Sequence, residues 1–207
     1  MLKKTWWIVF IVLILDHSSK LWVKTNMMLN QEYVIFDWFR IHFTENNGMA
    51  FGIELFDKLF LTLFRMVLIV ALIWLVQKLH QNKAHQSVKL AFSMILGGAI
   101  GNVIDALVYG PLFTHSSRQV AEFTTTEGST SMFYGQVVDM FYFPLWRGRL
   151  PEWIPGLGGD YFEFFPHIFN VADTAISLGV FLLILNNKKL SLALNALEKK
   201  KVKPIEN

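Results

Sequence analysis

Four long apolar runs limit what this chain can fold into more than any other feature. Thr5 to Val23 carries Asp16 and Lys20 inside it, and Leu59 to Val76 is apolar apart from Thr62 and Arg65. Val88 to Tyr109 is rich in small residues, among them Gly97, Gly98 and Gly101. Ile168 to Leu185 opens with Asn170 and Asp173 and then turns largely apolar. At ~1.5 Å per residue, each run is about long enough to cross ~30 Å of hydrocarbon. The expected class is therefore an all-α membrane protein with four transmembrane helices, over about residues 5–23, 59–76, 88–109 and 168–185. Only 17% of the 207 residues are charged and 53% are hydrophobic, a balance too apolar for an ordinary soluble domain.

The basic residues give the chain an orientation. Eleven of the nineteen Lys and Arg flank one set of ends. They are Lys3 and Lys4 before the first run, Lys78, Lys83 and Lys89 around the second-to-third connection, and six lysines after residue 187. The two longer connections, about 24–58 and 110–167, hold far fewer. By the positive-inside tendency both termini are cytoplasmic and the long loops face outward. The net charge of +3 is thus a topology signal. It is not a nucleic-acid footprint, because no basic stripe falls on a soluble domain. One integral membrane domain over 1–207 is expected, with residues 187–207 as a cytoplasmic tail. The first run ends in Asp16-His17-Ser18-Ser19-Lys20, without a small-residue cleavage site, so it reads as a span and not a removed leader.

The outer loops have distinct textures. Tyr33 to Phe43 is dense in aromatic and β-branched residues and predicts one or two strands at the membrane interface. Asn46-Asn47-Gly48-Met49-Ala50-Phe51-Gly52 predicts a turn, and Ile53 to Phe60 a short interfacial helix. Ser116 to Ser131 is polar and predicts a mobile stretch. Met140 to Pro166 is aromatic and rich in Pro and Gly, with Trp146 and Trp153 expected at headgroup level.

Polar residues within spans are costly, so each needs a reason. In the topology above, Asp16, Lys20, Asn46, Asn102, Asp105, Asp139, Asn170 and Asp173 all fall toward one side of the membrane. Scattered structural polar groups would have no cause to do so. Asp16 and Lys20, spaced i,i+4, can pair on one helix face as structural support. Asn102 and Asp105 share a face with the glycines, where interhelical hydrogen bonding is an alternative to a site role. His42, His115 and His167 lack metal-ligand spacing, and no HExxH occurs, so no metal is expected. With no cysteine in the chain, a thiol nucleophile is excluded. Asp139, within Val137 to Phe143, and Asp173, within Phe169 to Asp173, are carboxylates in apolar surroundings. Two such groups close together share one proton at neutral pH, one serving as general base on a water and the other as general acid.

Taken in order, these motifs resemble the lipoprotein signal peptidases, also called signal peptidase II. They are Asp16 to Lys20, Asn46 to Phe51, Gly97 to Asp105, Val137 to Met140 and Phe169 to Asp173. The resemblance implies an aspartic endopeptidase of the bacterial inner membrane. It would remove the signal peptide from diacylglyceryl-modified prolipoproteins, cutting before the lipidated cysteine. The family dyad maps to Asp139 and Asp173. Asn46, Gly48, Asn102, Asp105, Asn170, Asp16 and Lys20 map to supporting or substrate-binding positions. The first outer loop would form a membrane-lying β-cradle on the outer face. Partners would be the lipidated precursor and the bilayer, with no cofactor and a monomeric enzyme. One departure is plain: family members commonly carry Arg after the third-run Asp, where this chain has Ala106. Arg65 or Arg118 is expected to supply that positive charge, Arg65 preferred for its depth. The stretches from Asp105 to Asp139 and from Asp139 to Asp173 are also longer than in compact members.

Overall fold

The computed structural model describes residues 2–47 and 57–202. Residues 48–52 of the expected turn, Gly48 among them, and residues 53–56 of the expected interfacial helix lie outside this range.

Among the described residues, three helices are each long and apolar enough to cross a membrane: α1 (Leu2–Asn26), α2 (Lys58–Gln81) and α3 (Gln86–Leu112). The centre is α3, which packs against α1, α2 and α4 (Val171–Leu185). Two glycines explain how closely. A Cβ at Gly98 would run into the Ala172 carbonyl oxygen and the Ile176 side chain of α4. At Gly101 it would sit 2.6 Å from Asp16 Oδ2 of α1. Small residues let helix backbones meet where lipid offers no hydrophobic drive between them. Among the described residues nothing covers the outer surface of α2: Val67 and Val70 are 65% and 67% exposed, as lipid-facing side chains are.

The fourth run differs from expectation at both ends. It becomes helical only at Val171, because Ile168–Phe169 forms a strand and Asn170 caps the helix by accepting the Asp173 N–H. At Asn186 the chain bends by 87° into α5 (Asn187–Val202). The 15 residues of α4 rise only ~22 Å, so a fourth crossing counts only when the bent pair is taken together.

The expected β-rich cradle is present, and with six strands among the described residues it is more than an all-α class allows. β1 (Glu32–Phe36) and β2 (Phe39–Asn46) arise where the aromatic run predicts them. β3 (Val137–Tyr142) and β6 (Ile168–Phe169) join them in a four-stranded sheet of order β1-β2-β3-β6, all neighbours antiparallel. β4 (Trp146–Arg149) and β5 (Tyr161–Phe164) form a separate hairpin. The tyrosine hydroxyl of Tyr142 on β3 hydrogen-bonds Glu163 on β5, tying the hairpin to the sheet. Trp146 and Trp153 are exposed on it. A core of Val23, Met27, Phe43, Tyr109, Val138 and Met140 fixes the sheet to the ends of α1 and α3.

The Ser116–Ser131 stretch, expected to be mobile on its polarity, is hydrogen-bonded back to the end of α3. Thr124 N–H donates to Leu112 O, Ser129 N–H to Phe113 O and Thr130 N–H to Gly110 O. Ser116 itself is buried between Lys24 and Glu45.

Candidate active site

The site is built where β3, β6 and the first turn of α4 meet the middle of α3. Asp139 lies on β3, opposite Thr44 of β2, and is 2% exposed. Phe141 pairs with Phe169 across β3 and β6, and one residue further on Asn170 begins α4. This register sets Asn170 between the two aspartates. Its Oδ1 accepts the Asp173 N–H at 2.9 Å, a helix N-cap. Its Nδ2 donates to Asp139 Oδ1 at 2.6 Å and to Val138 O at 3.2 Å. Capping uses the oxygen, so the amide nitrogen must face Asp139.

Asp173 is held by a second amide. Asn102 Nδ2 donates to Asp173 Oδ1 at 2.9 Å, while Asn102 Oδ1 accepts from Lys20 Nζ at 3.0 Å. Lys20 thereby dictates which way the Asn102 amide points. Asn46, at the end of β2, hydrogen-bonds Asp139. Burial, then the charge of Asp173, push the Asp139 carboxyl from the usual range up to about 7. The hydrogen bonds from Asn46 and Asn170 and the charge of Lys20 pull the other way without prevailing.

Behind this pair lies a closed ionic cluster. Lys20 Nζ is 2.7 Å from Asp16 Oδ2 and 2.7 Å from Asp105 Oδ2, and all three side chains are inaccessible. With Asn102, the ammonium has an acceptor for each of its three N–H groups. Asp16 Oδ1 accepts the Ala172 N–H at 2.9 Å, locking α1 to the start of α4, and Asp105 Oδ2 accepts the Val138 N–H at 3.4 Å. His17 turns inward with Nδ1 3.3 Å from the Tyr109 hydroxyl and 3.7 Å from Asp105 Oδ1. Asp16, His17 and Asp105 are spaced as metal ligands can be, yet the Lys20 ammonium sits on both carboxylates. A cation already fills that place.

The two candidate arginines separate cleanly. Arg65 of α2 lines a narrow cleft together with Asn46, Lys58, Thr62, Ala106 and Val137, and Asp173 is the charge it feels. The side of α3 left bare by Ala106 therefore opens toward a guanidinium from α2. Arg118 is exposed in the second long loop, in a left-handed conformation (φ 61°). The sequence reading missed one buried tie, Lys24 Nζ to Glu45 Oε1 at 2.5 Å and Ser116 Oγ at 3.1 Å. Only the lysine at the end of an apolar run hinted at it.

Chemically, the arrangement offers two carboxylates held by neutral amides, one buried and protonatable near neutrality, beside a cleft with a positive rim. Activation of water on one carboxylate with proton donation from the other needs no further group.

Comparison with known proteins agrees with this chemistry. The family model for signal peptidase (SPase) II matches residues 8–188. The lipoprotein signal peptidase of Porphyromonas gingivalis is 48% identical over 179 residues, covering 86% of this chain and 79% of the relative. That of Amoebophilus asiaticus is 38% identical over 200 residues, covering 91% and 80%. A bacterial membrane enzyme structure obtained by the in meso method at 2.3 Å superimposes with a TM-score of 0.60 at 20% identity, covering 100% of this chain and 96% of that one. That likeness speaks for the fold alone. A match spanning nearly the whole apolar framework, from α1 to the start of α5, leaves one conclusion: the chain belongs to the signal peptidase II family.

Proposed function

We propose that this signal peptidase II removes the signal peptide from diacylglyceryl-modified prolipoproteins, cutting before the lipidated cysteine with Asp139 and Asp173. The observation that carries the assignment is the double use of Asn170, which caps α4 at Asp173 and donates to Asp139 with the same side chain. In this reading Asp139 carries the shared proton. Asp173 takes a proton from water, and the resulting hydroxide adds to the scissile carbonyl carbon. Asp139 gives its proton to the carbonyl oxygen. Collapse of the tetrahedral adduct breaks the C–N bond as the leaving nitrogen is protonated from the dyad. Arg65 supplies the positive charge beside Asp173 that Ala106 cannot, and Asn46 orients Asp139 and the substrate backbone. Asn102, Asp105, Asp16 and Lys20 support the dyad from behind. Gly48 is proposed as a substrate-loop position on the family resemblance alone.

The chain acts as one integral membrane domain and as a monomer. α1 to α4 cross the inner membrane, both termini are cytoplasmic, and the aspartates lie near the outer face. The signal helix enters from the bilayer and its lipid chains stay there, while the scissile bond sits where water is available. The test uses the purified chain on a diacylglyceryl-modified precursor and on its unmodified form. Product mapping by mass spectrometry should show a new N-terminus at the lipidated cysteine from the first and no cleavage of the second. Equal cleavage of both, or of neither, overturns the reading.

A further inference from the structure

The end of the bundle away from the aspartates carries a second polar feature that proteolysis does not use. From Asp105 back to His85 the chain descends 20 residues of α3, about 30 Å at ~1.5 Å per residue. There α5 turns away from α4 by 87°. α5 thus packs against the shared end of α2 and α3, two helices long enough to cross a bilayer. Leu190, Ala193 and Leu197 pack onto Leu79 and Val88 of α2 and α3. Leu192 and Leu194 are left 70% and 40% exposed. Between α5 and the α2–α3 turn lies a cleft of about 320 Å³, the size of small-ligand sites of roughly 300–1,000 Å³. Asn82, Lys83, His85, Lys189, Leu192 and Ala193 line it.

The lining has two ammonium groups, an imidazole and an amide, and no carboxylate. Neither lysine pairs with an acid among the described residues. His85 is also the N-cap of α3, so the positive end of a 27-residue helix lies at the rim. The other wall is apolar and continues into exposed leucines. Cationic on one side and greasy on the other, the cleft matches an anionic amphiphile and not a free ion.

We propose that this cleft binds the head group of an anionic phospholipid, its phosphate between Lys83 and Lys189 and its acyl chains along Leu192. The site is separate from the peptidase centre and rests only on membrane crossing by α2 and α3. Two lysines near a membrane surface together favour anionic lipid by roughly tenfold or more.

Native mass spectrometry of the purified full chain, titrated with phosphatidylglycerol or phosphatidylcholine, reads that preference directly. The unmodified chain should bind one phosphatidylglycerol about tenfold more tightly than phosphatidylcholine. Lys83→Gln with Lys189→Gln should bring the two within about twofold, each single change giving an intermediate loss, while Lys188→Gln keeps the preference. Detergent-assayed peptidase activity and thermal unfolding should stay unchanged in all of them, which separates this site from the dyad. No preference in the unmodified chain, or full preference in the double variant, overturns the proposal. So does complete displacement of the lipid by millimolar inorganic phosphate, which would make the site one for free phosphate.

Discussion

Two polar regions lie next to each other inside this molecule, and they are built on opposite rules. In the Asp16–Lys20–Asp105 cluster, charge meets charge at 2.7 Å with no solvent access, and the ammonium is fully used. In the Asp139–Asp173 pair, both carboxylates are held by neutral amides from Asn170 and Asn102. Paired charge in a dry interior gives a fixed joint between α1, α3 and α4. Carboxylates restrained only by amides keep a labile proton, which a cation in direct contact would drive off. Asn102 touches both regions, so the joint also aims the pair.

The comparison can be broken from the structural side first. Lys20→Met leaves two buried carboxylates without their cation and should destabilise the fold by about 3–5 kcal/mol, read as a large drop in thermal unfolding temperature. A variant that unfolds where the unmodified chain does would mean the cluster is not a joint. The next effect falls on the site. Arg65→Gln should lower cleavage about 10–100-fold with little change in unfolding, and Ala106→Arg in that background should recover most of it. Failure of both changes to move the rate would remove Arg65 from the account.

Protonation gives a smaller but sharper reading. With the Asp139 carboxyl raised to about 7, kcat/KM should fall about tenfold per pH unit above that value as the general acid is lost. The stability sign follows from the same shift. Between about 4 and 7 the unfolded chain has released this proton and the folded chain retains it. This group therefore favours folding below that window, and its contribution declines as pH rises through it. A flat rate profile to pH 9 would contradict the assignment of the proton. The smallest change is Asn170→Ser, which keeps a capping oxygen within a few tenths of a kcal/mol but removes the donor to Asp139. Cleavage should drop about tenfold, and the alkaline limb should move upward because a hydrogen bond to the ionised form is gone. Asn170→Ala should cost about 1 kcal/mol more in stability.

How much of this was legible in the sequence depended on distance along the chain. The runs that became α1, α2 and α3 were visible because their apolarity and length are local. Gly98 and Gly101 announced a close helix contact for the same reason. Ile168-Phe169 was read as the start of a helix because a short apolar run looks alike as strand or helix. Only the Asn170 cap, acting with its Asp173 partner, marks the true start. β3 escaped because Val137 to Met140 are buried with no alternation, and the strand's partner β2 lies some 90 residues earlier. The polarity of the 116–131 stretch hid its attachment, since backbone hydrogen bonds leave no trace in composition. The aspartates and their asparagine neighbours were legible as one-sided polar residues in apolar runs. What the sequence could not contain was the amide-by-amide wiring among them, whereas the depth of Arg65 already favoured it over Arg118.

The most direct test of the dyad is cleavage of a lipidated precursor by Asp139→Asn and by Asp173→Asn, each measured beside its thermal unfolding in the same membrane or detergent. Both variants should lose at least about 10³-fold in rate while unfolding within a few degrees of the unmodified chain. Normal cleavage by either folded variant would contradict the account.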